Sequence, residues 1–287
     1  MASSHQDWQP LTLQIHGGTI AAKVKGDGDN LLICFHGFGE NRHAFDRLLV
    51  HTPEEWCILS FDLPLFGESE WTDPERQIDK ACWEELITNI QDHFPQKIWH
   101  LLGFSMGGKI ALLFQELLHR PAKTVILMAP DGLRRHPLHA FVSQTSVGKW
   151  LIRQMVTYPG PILSITELAF RLGWINRFIH LFMNDNFAEQ KWRQRMYLCL
   201  RLYEEAQLDW EKLGRTALSS QWYLIWGRTD MTFGHRAANR LLRVIPHTQL
   251  YELNAGHMVL WDQLGTVRGL ISNCLFMSSN SSQTPPT

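Results

Sequence analysis

The chain has 287 residues, 45 % hydrophobic and 19 % charged, a globular balance long enough to bury a full core as one large domain or one domain with an insertion. A formal net charge of −1 leaves no long-range field to recruit polyanions and argues against nucleic acid as a partner. No run of about 18 apolar residues is present to span a bilayer, so no stable membrane association is expected. The polar stretch 1–10 lacks the charged-then-apolar layout of a signal peptide. Five cysteines, Cys34, Cys57, Cys82, Cys199 and Cys274, are odd in number and widely spaced. They outline neither a disulfide framework nor a zinc site, which points to a reducing, cytoplasmic location.

Residues 11–15 and 19–24, parted by His16-Gly17-Gly18, read as two paired edge strands. Residues 31–35 form a buried apolar strand that ends in the turn His36-Gly37-Phe38-Gly39, and residues 57–61 form another ending at Asp62. Ile78, Ala81, Cys82, Leu86 and Ile90 recur at helical spacing within 78–93. Residues 98–102 read as a short buried strand and 109–114 as a buried helix. Further strands follow at 124–129, 221–226 and 248–253, with helices at 237–245 and 261–276. Strands that alternate with helices, and whose own runs are almost continuously apolar, predict a mostly parallel sheet with helices on both faces.

The alternation stops between residues 131 and 218. Helical patterns there are interrupted by Pro137, Pro159-Gly160-Pro161 and Gly173, and bulky side chains are frequent: Trp150, Phe170, Trp174, Phe178, Phe182, Trp192, Tyr197, Tyr203 and Trp210. The segment reads as a helical insertion whose aromatics form its own core, line a pocket beneath it, or do both. The predicted organisation is a core in two parts, 1–130 and 219–277, around an insertion at 131–218, with a Ser/Pro/Thr-rich disordered tail at 278–287.

Four motifs carry chemistry. In Gly103-Phe104-Ser105-Met106-Gly107-Gly108, a serine sits between a buried strand and a buried helix. So sharp a turn pushes Ser105 toward positive φ and tolerates only glycine two residues to either side. Ser105 also stands at a helix N-terminus, where the Met106 N–H can face an oxyanion. The second motif is the turn His36-Gly37-Phe38-Gly39, which can aim the Phe38 N–H at the same oxygen. Third, Asp230 follows the strand 221–226 in Gly227-Arg228-Thr229-Asp230. An Asp there can be an ordinary helix N-cap, yet it also stands where a carboxylate reaches a histidine on the next loop. The fourth is His257, one of 14 histidines, distinguished by lying in Ala255-Gly256-His257 after the last strand. The order Ser, Asp, His is that of a nucleophile, its orienter and its base.

With these motifs the chain resembles the α/β-hydrolase fold superfamily over roughly residues 11–276. The resemblance implies an eight-stranded, mostly parallel sheet with a helical cap inserted after strand six. It also implies a catalytic triad of Ser105, Asp230 and His257 with an oxyanion hole formed by the Phe38 and Met106 N–H groups. Asp131, in Ala129-Pro130-Asp131-Gly132, is a rival for the acid, because a minority of such enzymes place it after strand six. Residues 62–69 are similar to the family's loop after strand four, but Leu65 stands where glycine is usual, so that backbone is expected to differ locally.

A serine nucleophile excludes the aspartate-dependent branches of the fold and leaves chiefly acyl transfer to water. The first expectation is a serine hydrolase cleaving a small to medium carboxylic ester or thioester through an acyl-enzyme. The alternative is a triad-dependent lyase or C–C bond hydrolase, similar to menaquinone-pathway synthases, acting on a carboxylate-bearing substrate. Residues 131–220 hold 12 Lys+Arg against 8 Asp+Glu, and Arg134, Arg135, Arg153, Arg177, Arg193 and Arg195 there would suit such a substrate. A third reading is a ligand receptor that keeps the triad without turnover. The partner in each case is a small molecule. No metal or organic cofactor is implied: no ligand cluster is visible, and Gly107-Gly108-Lys109 lacks the leading glycine of a phosphate-binding loop.

Overall fold

The computed structural model describes residues 7–72, 77–133, 145–175, 177, 180–181, 183–184, 189–203, 207–230 and 235–277. Pro137, Arg134, Arg135, Phe178, Phe182 and the tail 278–287 lie outside them.

Nine strands form one sheet: β1 (Gln9–Ile15), β2 (Gly18–Lys25), β3 (Asn30–Phe35), β4 (Trp56–Phe61), β5 (Glu70–Trp71), β6 (Ile98–Phe104), β7 (Thr124–Met128), β8 (Gln221–Gly227) and β9 (Gln249–Leu253). Eight run in the order β1-β2-β4-β3-β6-β7-β8-β9, and the two-residue β5 pairs with β2 off this path. From β4 to β9 every neighbouring pair is parallel, while β2 is antiparallel to β1, β4 and β5. The sequence predicts eight strands, and β5 is the addition. Residues 11–15 and 19–24 do pair, but only β1 lies at the edge, because β2 is hydrogen-bonded on both sides.

Both faces of the sheet are covered. On one, Phe35 meets Phe61 and Phe114 edge-on at 5.2 and 4.7 Å, and Trp83 of helix α1 (Lys80–His93) packs on Phe114 of helix α2 (Met106–Leu117) at 6.1 Å. On the other, Leu32, Cys34, Ile58 and Leu102 pack with Val267, Ile271 and Cys274. Burying these side chains supplies the main driving force for the fold, roughly 25 cal/mol per Å² of apolar surface. The predicted helix 261–276 is not continuous. It is divided into Val259–Asp262, Leu264–Ser272 and a π-helical turn Asn273–Met277. Gln263, at φ −129° and ψ 35°, leaves helical geometry, so the two helices turn separate apolar faces, Leu260 and Val267/Ile271, into one core.

The chain divides into two compact units, residues 1–72, 80–134 and 207–287, and residues 73–79 and 135–206. The first contains the sheet. In it Glu116, a buried carboxylate on α2, pairs with Lys80 Nζ and accepts the Asp209 N–H at 2.8 Å. The second unit is helical, with Ser146–Thr157, Gly160–Arg171 and Gln190–Leu202. Thr145 caps the first of these by accepting the Gly148 N–H at 2.9 Å. The Ile78 N–H donates to Leu202 O at 2.9 Å within the same unit. Tyr203 is buried, whereas Trp150 and Trp174 are exposed, so not all of the aromatics serve a core. Among the described residues, no helix is long and apolar enough to cross a membrane.

Candidate active site

Parallel strands end at the same edge of a sheet, and the loops that leave those ends converge there. The register aligns Phe35 with Gly103 and Phe61, Phe104 with Met128, and Gly227 with Leu253. The segments carrying Phe38, Ser105, Asp230 and His257 all leave this edge.

Ser105 joins β6 directly to α2, at φ 51° and ψ −119°. β6 therefore runs two residues further than the predicted 98–102, and α2 starts three residues before the predicted 109. Three backbone bonds hold the turn: Ser105 N–H to Met128 O at 2.9 Å, and the N–H groups of Gly108 and Asp131 to Ser105 O at 2.9 and 2.8 Å. The flanking glycines are required by close approach. A Cβ on Gly107 would lie 2.0 Å from Phe35 O, and one on Gly103 would lie 2.5 Å from Gly107 O. Both obstacles are backbone and cannot swing aside. Gly107→Ala is accordingly expected to cost about 1–3 kcal/mol or more, read as a lower urea midpoint.

Ser105 Oγ lies 2.9 Å from His257 Nε2, and His257 Nδ1 lies 2.9 Å from Asp230 Oδ2. All three residues are buried. Because a carboxylate only accepts, the proton between Asp230 and His257 belongs on Nδ1, and Nε2 is left to accept the Ser105 hydroxyl proton. The Phe104 ring lies beside the imidazole at 5.8 Å. Asp131 is placed differently: its Oδ1 accepts the adjacent Gly132 N–H at 2.5 Å, and its backbone supports the Ser105 turn.

Met106 opens α2, and first-turn N–H groups of a helix have no intrahelical acceptor. The orientation of the Phe38 N–H is set through its own peptide plane. The carbonyl of that peptide, Gly37 O, faces His36 Nδ1 at 2.7 Å and the Glu40 N–H at 3.3 Å. In a trans peptide the N–H points opposite to the carbonyl, and no cis bond occurs among the described residues. His36 Nε2 in turn accepts the Leu63 N–H at 2.9 Å, so His36 ties the loop after β3 to the loop after β4.

That second loop contains a left-handed residue that is not glycine. Leu65 itself adopts φ 76°, so the substitution is absorbed as strain at one residue. Asp62 stabilises the loop by accepting from Arg42 N–H at 2.6 Å, Arg42 Nη1 at 2.7 Å and Glu68 N–H at 2.7 Å.

Burial depresses two histidines, His36 to about 4 and His100 to about 3. Both stay neutral in the folded chain but take up protons in the unfolded chain below an ordinary value of about 6.5. Their contribution is therefore present above that pH and is lost as pH falls toward 4 and 3, by up to about 1.4 kcal/mol per pH unit for each group. Urea midpoints should fall between pH 7 and pH 4.5, with a shallower slope in His100→Leu.

Three of the six arginines expected to suit a carboxylate-bearing substrate have partners among the described residues. Arg153 Nε donates to Tyr197 Oη at 2.8 Å, Arg193 Nε donates to Val156 O at 2.9 Å, and Arg195 stacks over Trp192 at 4.9 Å. Arg177 is exposed.

A family model described as the alpha/beta hydrolase fold matches residues 30–264. The chain is 26 % identical over 237 residues to the uncharacterized hydrolase YugF of Bacillus subtilis, covering 81 % of this chain and 85 % of that protein. It is 38 % identical over 90 residues to a pimeloyl-[acyl-carrier protein] methyl ester esterase of Neisseria meningitidis, covering 31 % of this chain and 32 % of the esterase. That second match thus spans about a third of each protein. A solved esterase structure from Thermogutta terrifontis aligns with a TM-score of 0.66 at 20 % identity, over 94 % of this chain and 98 % of that one. It is a likeness of fold.

Proposed function

The chain belongs to the alpha/beta hydrolase fold family, and from that membership we propose that it is a serine hydrolase of carboxylic esters or thioesters. The observation that carries the reading is the continuous line from Ser105 through His257 to Asp230, with both contacts at 2.9 Å. The names of its relatives support the same class, since one is a hydrolase and another a methyl ester esterase.

In this reading Ser105 Oγ attacks the carbonyl carbon while His257 Nε2 takes the hydroxyl proton. Asp230 keeps the imidazole in the accepting tautomer and stabilises the imidazolium. The Met106 and Phe38 N–H groups hold the negative oxygen of the tetrahedral intermediate. Collapse of that intermediate breaks the bond to the alcohol or thiol, which leaves with the proton from His257. Water then attacks the acyl-serine by the same route and regenerates Ser105.

Labelling with a fluorophosphonate beside Ser105→Ala, followed by a panel of p-nitrophenyl esters and dicarboxylate methyl esters, tests the proposal. Ser105-dependent labelling with turnover is the expected result. Labelling with no turnover on any ester would return the weight to elimination or C–C cleavage. A folded protein that does not label would overturn the activated serine.

A further inference from the structure

Glu40 holds a carboxylate in this site that the triad does not use. It closes the loop after β3, and its two oxygens have different partners. Oε2 accepts the Gly37 N–H at 2.9 Å, and Oε1 accepts Trp261 Nε1–H at 2.7 Å, across 221 positions of sequence. Gly37 immediately precedes Phe38. Trp261 follows His257 by four residues, in the short helix Val259–Asp262, and packs on the core beneath. The same carboxylate therefore grips the backbone beside one functional group and the side chain of the segment that bears another.

Burial raises the Glu40 carboxyl, while its two hydrogen bonds and the charge of His257 act in the opposite sense. The His257 ring also faces Ser105 Oγ at Nε2, Asp230 at Nδ1 and the Phe104 ring. A purely structural clamp needs no charge here, since an apolar contact would join the two segments without desolvating a carboxylate.

We propose that Glu40 is a positioning residue, which bridges the loop of Phe38 to the segment of His257 and so fixes the oxyanion N–H and the imidazole relative to one another. The proposal rests on the reading of Ser105, His257 and Asp230 as the triad. A shift of about 1 Å between such groups can cost about a hundredfold in rate.

Two variants test it on whichever ester the panel identifies. Trp261→Phe keeps an aromatic ring and removes one donor to Glu40. Glu40→Gln keeps the shape, removes the charge and turns an amide N–H₂ toward one of the two donors. The expected result is a loss in kcat of about 3–10-fold for Trp261→Phe and about 10–100-fold for Glu40→Gln. KM should change little, and fluorophosphonate labelling should slow in step with kcat. The double variant should be no slower than Glu40→Gln alone, because both changes break one bridge.

Wild-type kcat and labelling rate in Glu40→Gln, with only a lower thermal midpoint, would overturn the proposal. If Glu40→Gln does not fold, Trp261→Phe decides: unchanged kcat and labelling would overturn it. A wild-type protein that neither labels nor turns over any ester would instead overturn the triad reading, and the role of Glu40 with it. A reactive wild type with two indifferent variants would remove the Glu40 role alone.

Discussion

Ser105→Ala is expected to leave a folded protein that takes up no fluorophosphonate and has lost ester turnover by about 10⁴–10⁶-fold. In the proposed mechanism the nucleophile and its base act as a unit, so removing the hydroxyl would forfeit the work of His257 and Asp230 as well. Ser105→Gly should be equally inactive but more stable. At φ 51° and ψ −119° an L-residue lies outside its allowed basins, and such strain costs on the order of 1–3 kcal/mol. Glycine escapes that strain but has more freedom in the unfolded chain, worth about 0.5–1 kcal/mol. The net gain expected for Ser105→Gly is about 1 kcal/mol, while Ser105→Ala keeps the strained backbone. Urea midpoints for wild type, Ala and Gly measure the difference. A Gly variant no more stable than the Ala variant would show that the turn is not strained.

Asp230→Asn is the second large effect, an expected fall in kcat of about 10⁴-fold, the size seen for the same change in a serine protease triad. An Asn can turn its N–H₂ toward His257 Nδ1, which must then become the acceptor. The ring proton moves to Nε2, and Ser105 loses the acceptor for its own proton. Geometry survives while the tautomer is wrong, so labelling should fall with turnover and the thermal midpoint should change little. Asp131→Asn should stay near wild type, because an amide oxygen can still accept the Gly132 N–H. The reverse pattern, with Asp131→Asn crippled and Asp230→Asn benign, would reassign the acid.

The parts of the site that the sequence made legible are those in which local constraint and chain order coincide. Ser105 announces itself because backbone contacts force Gly103, against Gly107 O of the same strand–turn–helix unit, and Gly107, against Phe35 O of β3. Asp230 and His257 follow from their places after β8 and β9. The alternation of apolar strands and helices gave the parallel sheet for the same reason: both faces are covered. Glu40 was not legible. Its role comes from one hydrogen bond to Trp261, a partner 221 positions away, with no periodicity to connect them. The strand Glu70–Trp71 was invisible because two residues carry no alternation. Gln263 interrupts a run whose apolar spacing alone favours one helix, and the division is decided by packing against the sheet. Leu65 was noticed as an exception, but whether the backbone or the side chain would yield was not readable. In the structure Leu65 adopts φ 76°.

Glu116 gives the chain a kind of modularity. Lys80, just after the stretch 73–79, and Asp209, just after the stretch 135–206, mark where the chain re-enters the sheet-bearing unit, and both meet on a single buried carboxylate of α2. With the return point of each stretch anchored in the host, the entropy of closing it depends only weakly on its length. Insertions and exchanges then leave the host core undisturbed. The stretches 73–79 and 135–206 can thus vary in length while Ser105, α2 and the sheet stay constant.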